Sequence, residues 1–137
     1  MIIDHILLKT KNLAKMVEFF EQVLDIKKGS RPDFKFPGAW LWKDNRPLVH
    51  LSEIDDDNNE QHQYLPHQSL QVSEGTGVID HIAFSGENYE AFIVRLKRYH
   101  IEYVERVVPL TNEQQVFIQG PENLNVEVQF ARVKEGI

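Results

Sequence analysis

The pattern of apolar and polar positions divides the chain into short elements. Residues 2–8 are β-branched and apolar around Asp4 and His5, which predicts a strand with Ile3, His5 and Leu7 on one face. Asn12 then offers a helix N-cap. Leu13, Met16, Val17, Phe20 and Leu24 follow at helical spacing, so a helix of about three turns should lay Met16, Val17 and Phe20 on a sheet. A short strand ends at Gly29 and Pro32, and Phe36-Pro37-Gly38 signals a turn. Two further strands, 39–42 and 48–51, flank the polar turn Lys43-Asp44-Asn45-Arg46. The order of this half is βαβββ.

From Ser52 to Gly77 the periodicity disappears, and Asp55-Asp56-Asp57-Asn58-Asn59-Glu60 reads as an acidic linker or loop with nothing to bury. The pattern then repeats. Val78-Ile79-Asp80-His81-Ile82 restates Ile2-Ile3-Asp4-His5-Ile6 at an offset of 76 (81 − 5), and Asn88, Phe92, Ile93 and Leu96 fall opposite Asn12, Met16, Val17 and Phe20. Strands near 103–107, 115–119 and 124–130 complete a second βαβββ unit, in which Val126-Glu127-Val128 matches Val49-His50-Leu51 at an offset of 77 (127 − 50). The expected fold is α+β: tandem βαβββ modules over about 1–53 and about 77–131, joined by a linker of about 54–76, with helices outside mixed sheets.

At 137 residues and 42% hydrophobic content the chain has material for a real core in one domain. The absence of cysteine removes disulfides, thiolate metal sites and cysteine nucleophiles, so any metal must be held by His, Asp or Glu. A formal charge of −6 with scattered Lys and Arg gives no footprint for nucleic acid. The sequence has neither the basic-then-apolar layout of a signal peptide nor a run long enough to cross a bilayer, so no membrane association and a cytoplasmic location are expected.

Four residues stand out for chemistry. His5, His50, His81 and Glu127 each occupy a strand position with apolar neighbours, and each recurs at a matching station of the duplicated unit. A single histidine of this kind is usually a hydrogen-bonded core residue. As a set they read as metal ligands of one site. Nitrogen and carboxylate donors without sulfur suit a divalent metal ion, namely zinc, nickel, manganese, cobalt or ferrous iron, with coordination places open for a small-molecule substrate. Such an ion polarises a carbonyl or stabilises a developing alkoxide. His62 and His67 lie in the acidic stretch, where a solvated loop is the expected reading over a cation site.

The duplicated Asp4-His5-Ile6 and Asp80-His81-Ile82 openings, with the closing run Gly120-Pro121-Glu122-Asn123-Leu124-Asn125-Val126-Glu127, resemble the vicinal oxygen chelate superfamily over almost the whole chain. That superfamily includes glyoxalase I, fosfomycin-resistance transferases, methylmalonyl-CoA epimerase, extradiol dioxygenases and bleomycin-resistance proteins. The segment from Arg31 to Leu51 is similar to a glyoxalase-like branch. In the family the closing motif usually reads Asp-Pro-x-Gly-Asn; here Gly120 stands for the Asp, and Glu122-Asn123 covers the Gly. The resemblance implies curved sheets around a metal-binding cleft, with His5, His81 and Glu127 as the common ligands. His50 falls at the station where glyoxalase I carries a fourth ligand, a glutamate. It further implies Glu127 as general base, with His50 as a second proton carrier, and Trp40, Trp42, Phe34 and Phe36 as pocket walls. Three functions follow as expectations: a metal-dependent enzyme of lyase, isomerase or transferase type, a ferrous extradiol dioxygenase, or a metal-free drug- or metabolite-sequestering binding protein of the bleomycin-resistance type. Members of this length imply a homodimer with metal sites shared between subunits.

Overall fold

The computed structural model describes residues 2–55, 57–65, 75, 77, 79–109 and 111–131. The chain divides into two compact units, Met1–Ser73 and Glu74–Ile137, each built on a four-stranded sheet. In the first unit β1 (Ile6–Thr10), α1 (Leu13–Val23), β2 (Lys27–Gly29), β3 (Gly38–Lys43) and β4 (Arg46–Glu53) form a sheet of order β1-β4-β3-β2. Only β1 and β4 run parallel; β3 pairs antiparallel with both of its neighbours. The second unit repeats this with β5 (Ile82–Gly86), α3 (Tyr89–Arg98), β6 (Tyr103–Val107), β7 (Gln114–Gln119) and β8 (Asn125–Phe130), in the order β5-β8-β7-β6. The α+β class and the βαβββ order expected from the sequence are both present. Among the described residues no helix is long and apolar enough to cross a membrane.

Local chemistry accounts for the elements. The Asn12 side chain accepts from Lys15 N at 3.1 Å and Asn88 accepts from Ala91 N at 3.0 Å, so each helix begins at the asparagine that its repeat supplies. Asp44 and Asn45 both take positive φ (51° and 61°), the left-handed pair that a two-residue hairpin turn requires between β3 and β4. One face of each sheet carries its helix. Met16, Phe19, Phe20 and Val23 of α1 are buried with Ala39, Leu41, Val49 and Leu51 of the sheet. Phe92 and Leu96 of α3 are buried with Val116, Ile118, Val126 and Val128, and the Phe92 and Phe130 rings lie 5.6 Å apart. Val17 and Ile93, expected on the buried faces, are only half-buried, and Phe19 and Val23 take the remaining contact.

Two expectations change. The first strand of each unit starts at Ile6 and Ile82, four residues later than the apolar runs begin. The register explains this. Ile6 pairs with Val49 in a parallel ladder, so residues 2 and 3 would need partners at 45 and 46, where the chain leaves the turn; Ile82 pairs with Val126, which puts 79 and 80 opposite the turn at Gly120–Leu124. His5 and His81 therefore stand one residue ahead of their strands. The acidic stretch also contains a helix, α2 (Asn59–Tyr64), capped by the Asn58 side chain on Gln61 N at 3.0 Å. Among its described side chains the buried one is a glutamine. Gln61 Nε2 donates to Ser52 Oγ at 2.8 Å and to the Glu53 carbonyl at 2.7 Å, while its Oε1 accepts from Asp55 N at 3.0 Å. The stretch had no visible period because its buried side chain is polar.

Candidate functional site

The face of each sheet turned away from its helix carries the candidate residues, and the two registers correspond residue for residue. In the first unit His50 pairs with Leu7 on one side and Trp40 on the other; in the second Glu127 pairs with Ala83 and Phe117. His5 and His81 each lie two residues before Leu7 and Ala83, on the same face. The structure thus brings His5 to His50 and His81 to Glu127, as two pairs. Among the described residues no group of three or more His, Asp and Glu side chains is arranged to hold a metal ion. His62 is exposed on the last turn of α2, and His67 lies outside the described residues.

The first pair is a stack of rings. His5 and His50 are 3.8 Å apart at 12°, and Trp40 covers the other face of His50 at 4.0 Å and 10°. His50 is 5% exposed, and neither ring nitrogen has a hydrogen-bond partner among the described residues. Burial, with His5 alongside, pushes the His50 imidazole below its ordinary pKa. It is therefore held neutral. Phe34 and Phe36 extend the aromatic surface beyond Trp40, their rings stacked at 5.1 Å with the Arg31 guanidinium over both. Trp42 is tied separately by donating Nε1–H to the Ser30 carbonyl at 2.9 Å.

The second pair is ionic. His81 Nε2 lies 2.9 Å from Glu127 Oε2, and its Nδ1 donates to Asp80 Oδ1 at 2.8 Å. The Asp80 hydrogen bond, with the Glu127 charge adding to it, raises the His81 pKa against a smaller opposing effect of desolvation. Glu127 is 4% exposed, and its second oxygen, Oε1, accepts from Gln115 Nε2 at 2.5 Å. Asp4 makes the matching contact in the first unit, its Oδ2 accepting from His5 Nδ1 at 2.7 Å. A carboxylate on Nδ1 fixes ring orientation and leaves Nε2 as the coordinating nitrogen, an arrangement common behind metal-bound histidines.

The donor set fits a divalent cation in three respects. Both outer histidines carry the Nδ1 carboxylate, the proton between His81 Nε2 and Glu127 Oε2 is one that a cation displaces, and His50 keeps two buried nitrogens without partners. Nearly parallel rings direct their in-plane lone pairs along parallel lines, so His5 and His50 do not converge on one ion as they stand. The Asp4 and Asp80 contacts and the Gln115 contact were not read as site features from the sequence. The repeated Asp-His dipeptide was a visible signal for the first two; a glutamine on a strand, next to Gln114, gave none.

The closing turn departs from glycine chemistry. Pro121–Asn123 form one 3-10 turn in which Glu122 and Asn123 have φ of 57° and 59°, the left-handed region at the position where the motif described above has glycine. Gly120 N donates to the Leu124 carbonyl at 2.7 Å, closing the loop just before β8 and Glu127.

The family model described as Glyoxalase/Bleomycin resistance protein/Dioxygenase superfamily matches residues 2–128. No curated protein matches the chain. Among solved structures, the fosfomycin resistance protein FosX from Listeria monocytogenes superposes with a TM-score of 0.64 at 17% identity, covering 94% of this chain and 92% of that one. A glyoxylase/bleomycin resistance protein/dioxygenase domain from Frankia sp. EAN1pec gives 0.67 at 17% identity, covering 93% and 95%. An integron cassette protein from the mobile metagenome of V. cholerae gives 0.67 at 15%, covering 95% and 94%. At these identities the likeness is one of fold.

Proposed function

Because the chain belongs to the Glyoxalase/Bleomycin resistance protein/Dioxygenase superfamily, we propose that it is a metal-dependent enzyme acting on a small substrate that binds a divalent ion through adjacent oxygens. The reaction is of lyase, isomerase or transferase type. The observation that carries the reading is the register-matched duplication, which sets an outer histidine with its Nδ1 carboxylate beside an inner residue, His50 or Glu127. His5, His81 and Glu127 are the principal ligands, with His50 at the fourth station. Each pair is half of a ligand set, and in a homodimer a second copy of the chain supplies the other half.

A bound divalent ion supplies Lewis-acid polarisation of the substrate oxygens. Glu127 is both ligand and proton carrier: it is nearly buried and tied at Oε1 by Gln115, so Oε2 is the oxygen open to the site, and taking a substrate proton there would require Oε2 to leave the ion. In the metal-free protein His81 Nε2 faces that oxygen, and Asp80 orients the His81 ring from Nδ1. His50, neutral and excluded from water, takes no charge in the resting site, and Trp40 with Phe34 forms an apolar wall for the carbon skeleton.

The test begins with metal analysis of protein purified without added metal, followed by titration with zinc, nickel, manganese and cobalt. One ion per chain is expected, lost in a His81→Ala, Glu127→Ala double variant and retained in His62→Ala. Full occupancy in the double variant would overturn the site. An activity screen under air and under nitrogen separates this reading from a ferrous dioxygenase, which needs oxygen. Absence of any metal uptake leaves the drug-binding alternative. Mixing a His5→Ala, His50→Ala chain with a His81→Ala, Glu127→Ala chain after joint unfolding tests sharing, since only shared sites regain one metal per mixed dimer.

A further inference from the structure

We infer that Gln115 is a positioning residue that assigns different roles to the two oxygens of Glu127, and this rests on the metal-dependent reading above. Glu127 is almost fully buried in its unit, so each oxygen needs a specified partner. Oε1 receives the Gln115 amide at 2.5 Å and Oε2 faces His81 Nε2 at 2.9 Å. The carboxylate is thus pinned about the Cγ–Cδ bond, with one oxygen committed to the protein and one presented to the site. A glutamate held in this way binds a cation through one oxygen, and the amide donor also keeps its negative charge in place.

The repeat isolates the role. The residue corresponding to Gln115 at an offset of 77 (115 − 38) is Gly38, which pairs with Ser52 as Gln115 pairs with Gln129. A Cβ built on Gly38 would run into the Leu51 carbonyl and come within 2.6 Å of Arg31 Nη1, so that position takes no amide side chain without rearrangement. The inner residue beside Gly38 is His50, whose ring nitrogens have no hydrogen-bond partner among the described residues. The glutamine is present where the inner residue is a carboxylate and absent where it is an imidazole. Gln115 is half-buried, and its side chain shares the Glu127 face through alternation along antiparallel strands.

The experiment compares wild type with Gln115→Leu, one atom shorter, and Gln115→Glu, of the same length, both of which remove the amide donor. Cobalt titration followed by visible absorption should show affinity falling about 10- to 100-fold in both variants. Infrared difference spectra should show the Glu127 carboxylate, identified by its loss in Glu127→Gln, moving from a one-oxygen to a two-oxygen binding signature in Gln115→Leu. A merely structural role would not change that signature. Unchanged affinity and an unchanged carboxylate signature in a folded Gln115→Leu protein overturn the assignment. If wild type takes up no cobalt, the metal reading fails, and metal-free protein still decides the positioning role: the His81 imidazole nitrogen resonances shift in Gln115→Leu when Gln115 holds Glu127 against His81, and stay in place when it does not.

Discussion

Replacing Gln61 with leucine tests how the acidic stretch is attached to the sheet. The side chain is fully buried and makes three hydrogen bonds, two from Nε2 to Ser52 Oγ and the Glu53 carbonyl and one from Asp55 N to Oε1. Ser52 is also fully buried, on the same face of β4 as His50 and two residues beyond it. Leucine has nearly the same volume, so no cavity forms, and the cost comes from lost hydrogen bonds and stranded polar groups. At roughly 0.5–1.5 kcal/mol net per bond, three bonds give about 1.5–4.5 kcal/mol. The helix has only 6 residues and can open locally, which caps the loss at the free energy of undocking it. Urea unfolding should show the loss in the midpoint with little change in slope. Amide exchange at Asp55 and Leu65, both hydrogen-bonded to Gln61, should accelerate. A loss below about 1 kcal/mol with those amides still protected would refute the reasoning.

Truncating Phe20, which is 0% exposed, or Phe92, which is 8% exposed, to alanine should cost about 3–5 kcal/mol in urea unfolding, and a loss under about 1 kcal/mol at either would place that helix face in solvent. Glu122→Gly should raise stability by on the order of 0.5 kcal/mol, because relief of the left-handed backbone at φ 57° exceeds the added freedom of the unfolded chain; a drop in midpoint would contradict this. The pH dependence has opposite signs at the two pairs. In metal-free protein His81, with its pKa raised, contributes stability that is full below its unfolded value of about 6.5 and is lost as pH rises through the higher folded value. His50, with its pKa lowered, binds its proton in the unfolded chain first, so its neutral burial is favourable above about 6.5 and penalised as pH falls below that. Midpoints of His81→Ala and His50→Phe relative to wild type across that range should diverge in opposite directions, and parallel curves would refute both assignments.

What was legible in the sequence follows from where local chemistry alone decides. The asparagine caps, the Asp44-Asn45 turn and the apolar period of both helices are set by residues near in sequence, and the repeat doubled each signal. The equivalent stations of His5, His50, His81 and Glu127 were legible because duplication marks them. Their partition into two pairs was not, since that depends on a parallel register fixed by the turns opposite Ile2, Ile3 and Ile79. Gln61 and Gln115 were invisible for a common reason: a buried glutamine earns its place through partners distant in sequence, and pattern reading treats every glutamine as solvated.

The two units show how little must change for one backbone to present different chemistry. The ladder positions of His50 and Glu127 are equivalent, and so are those of Trp40 and Phe117 and of Gly38 and Gln115. In the first unit an imidazole between two rings carries no charge that needs compensation, because its burial favours the uncharged form. In the second a carboxylate at the same depth requires compensation, because an unpaired buried charge costs several kcal/mol. His81 supplies a countercharge and Gln115 an amide, while Asp80 strengthens His81 from outside. Exchanging the inner residue alone therefore should not exchange the behaviour of the halves. A carboxylate at position 50 would meet His5 without an amide on its other oxygen, and the glycine at 38 leaves no side chain to supply one. The buried negative charge is thus confined to the unit that has the neighbours to compensate it.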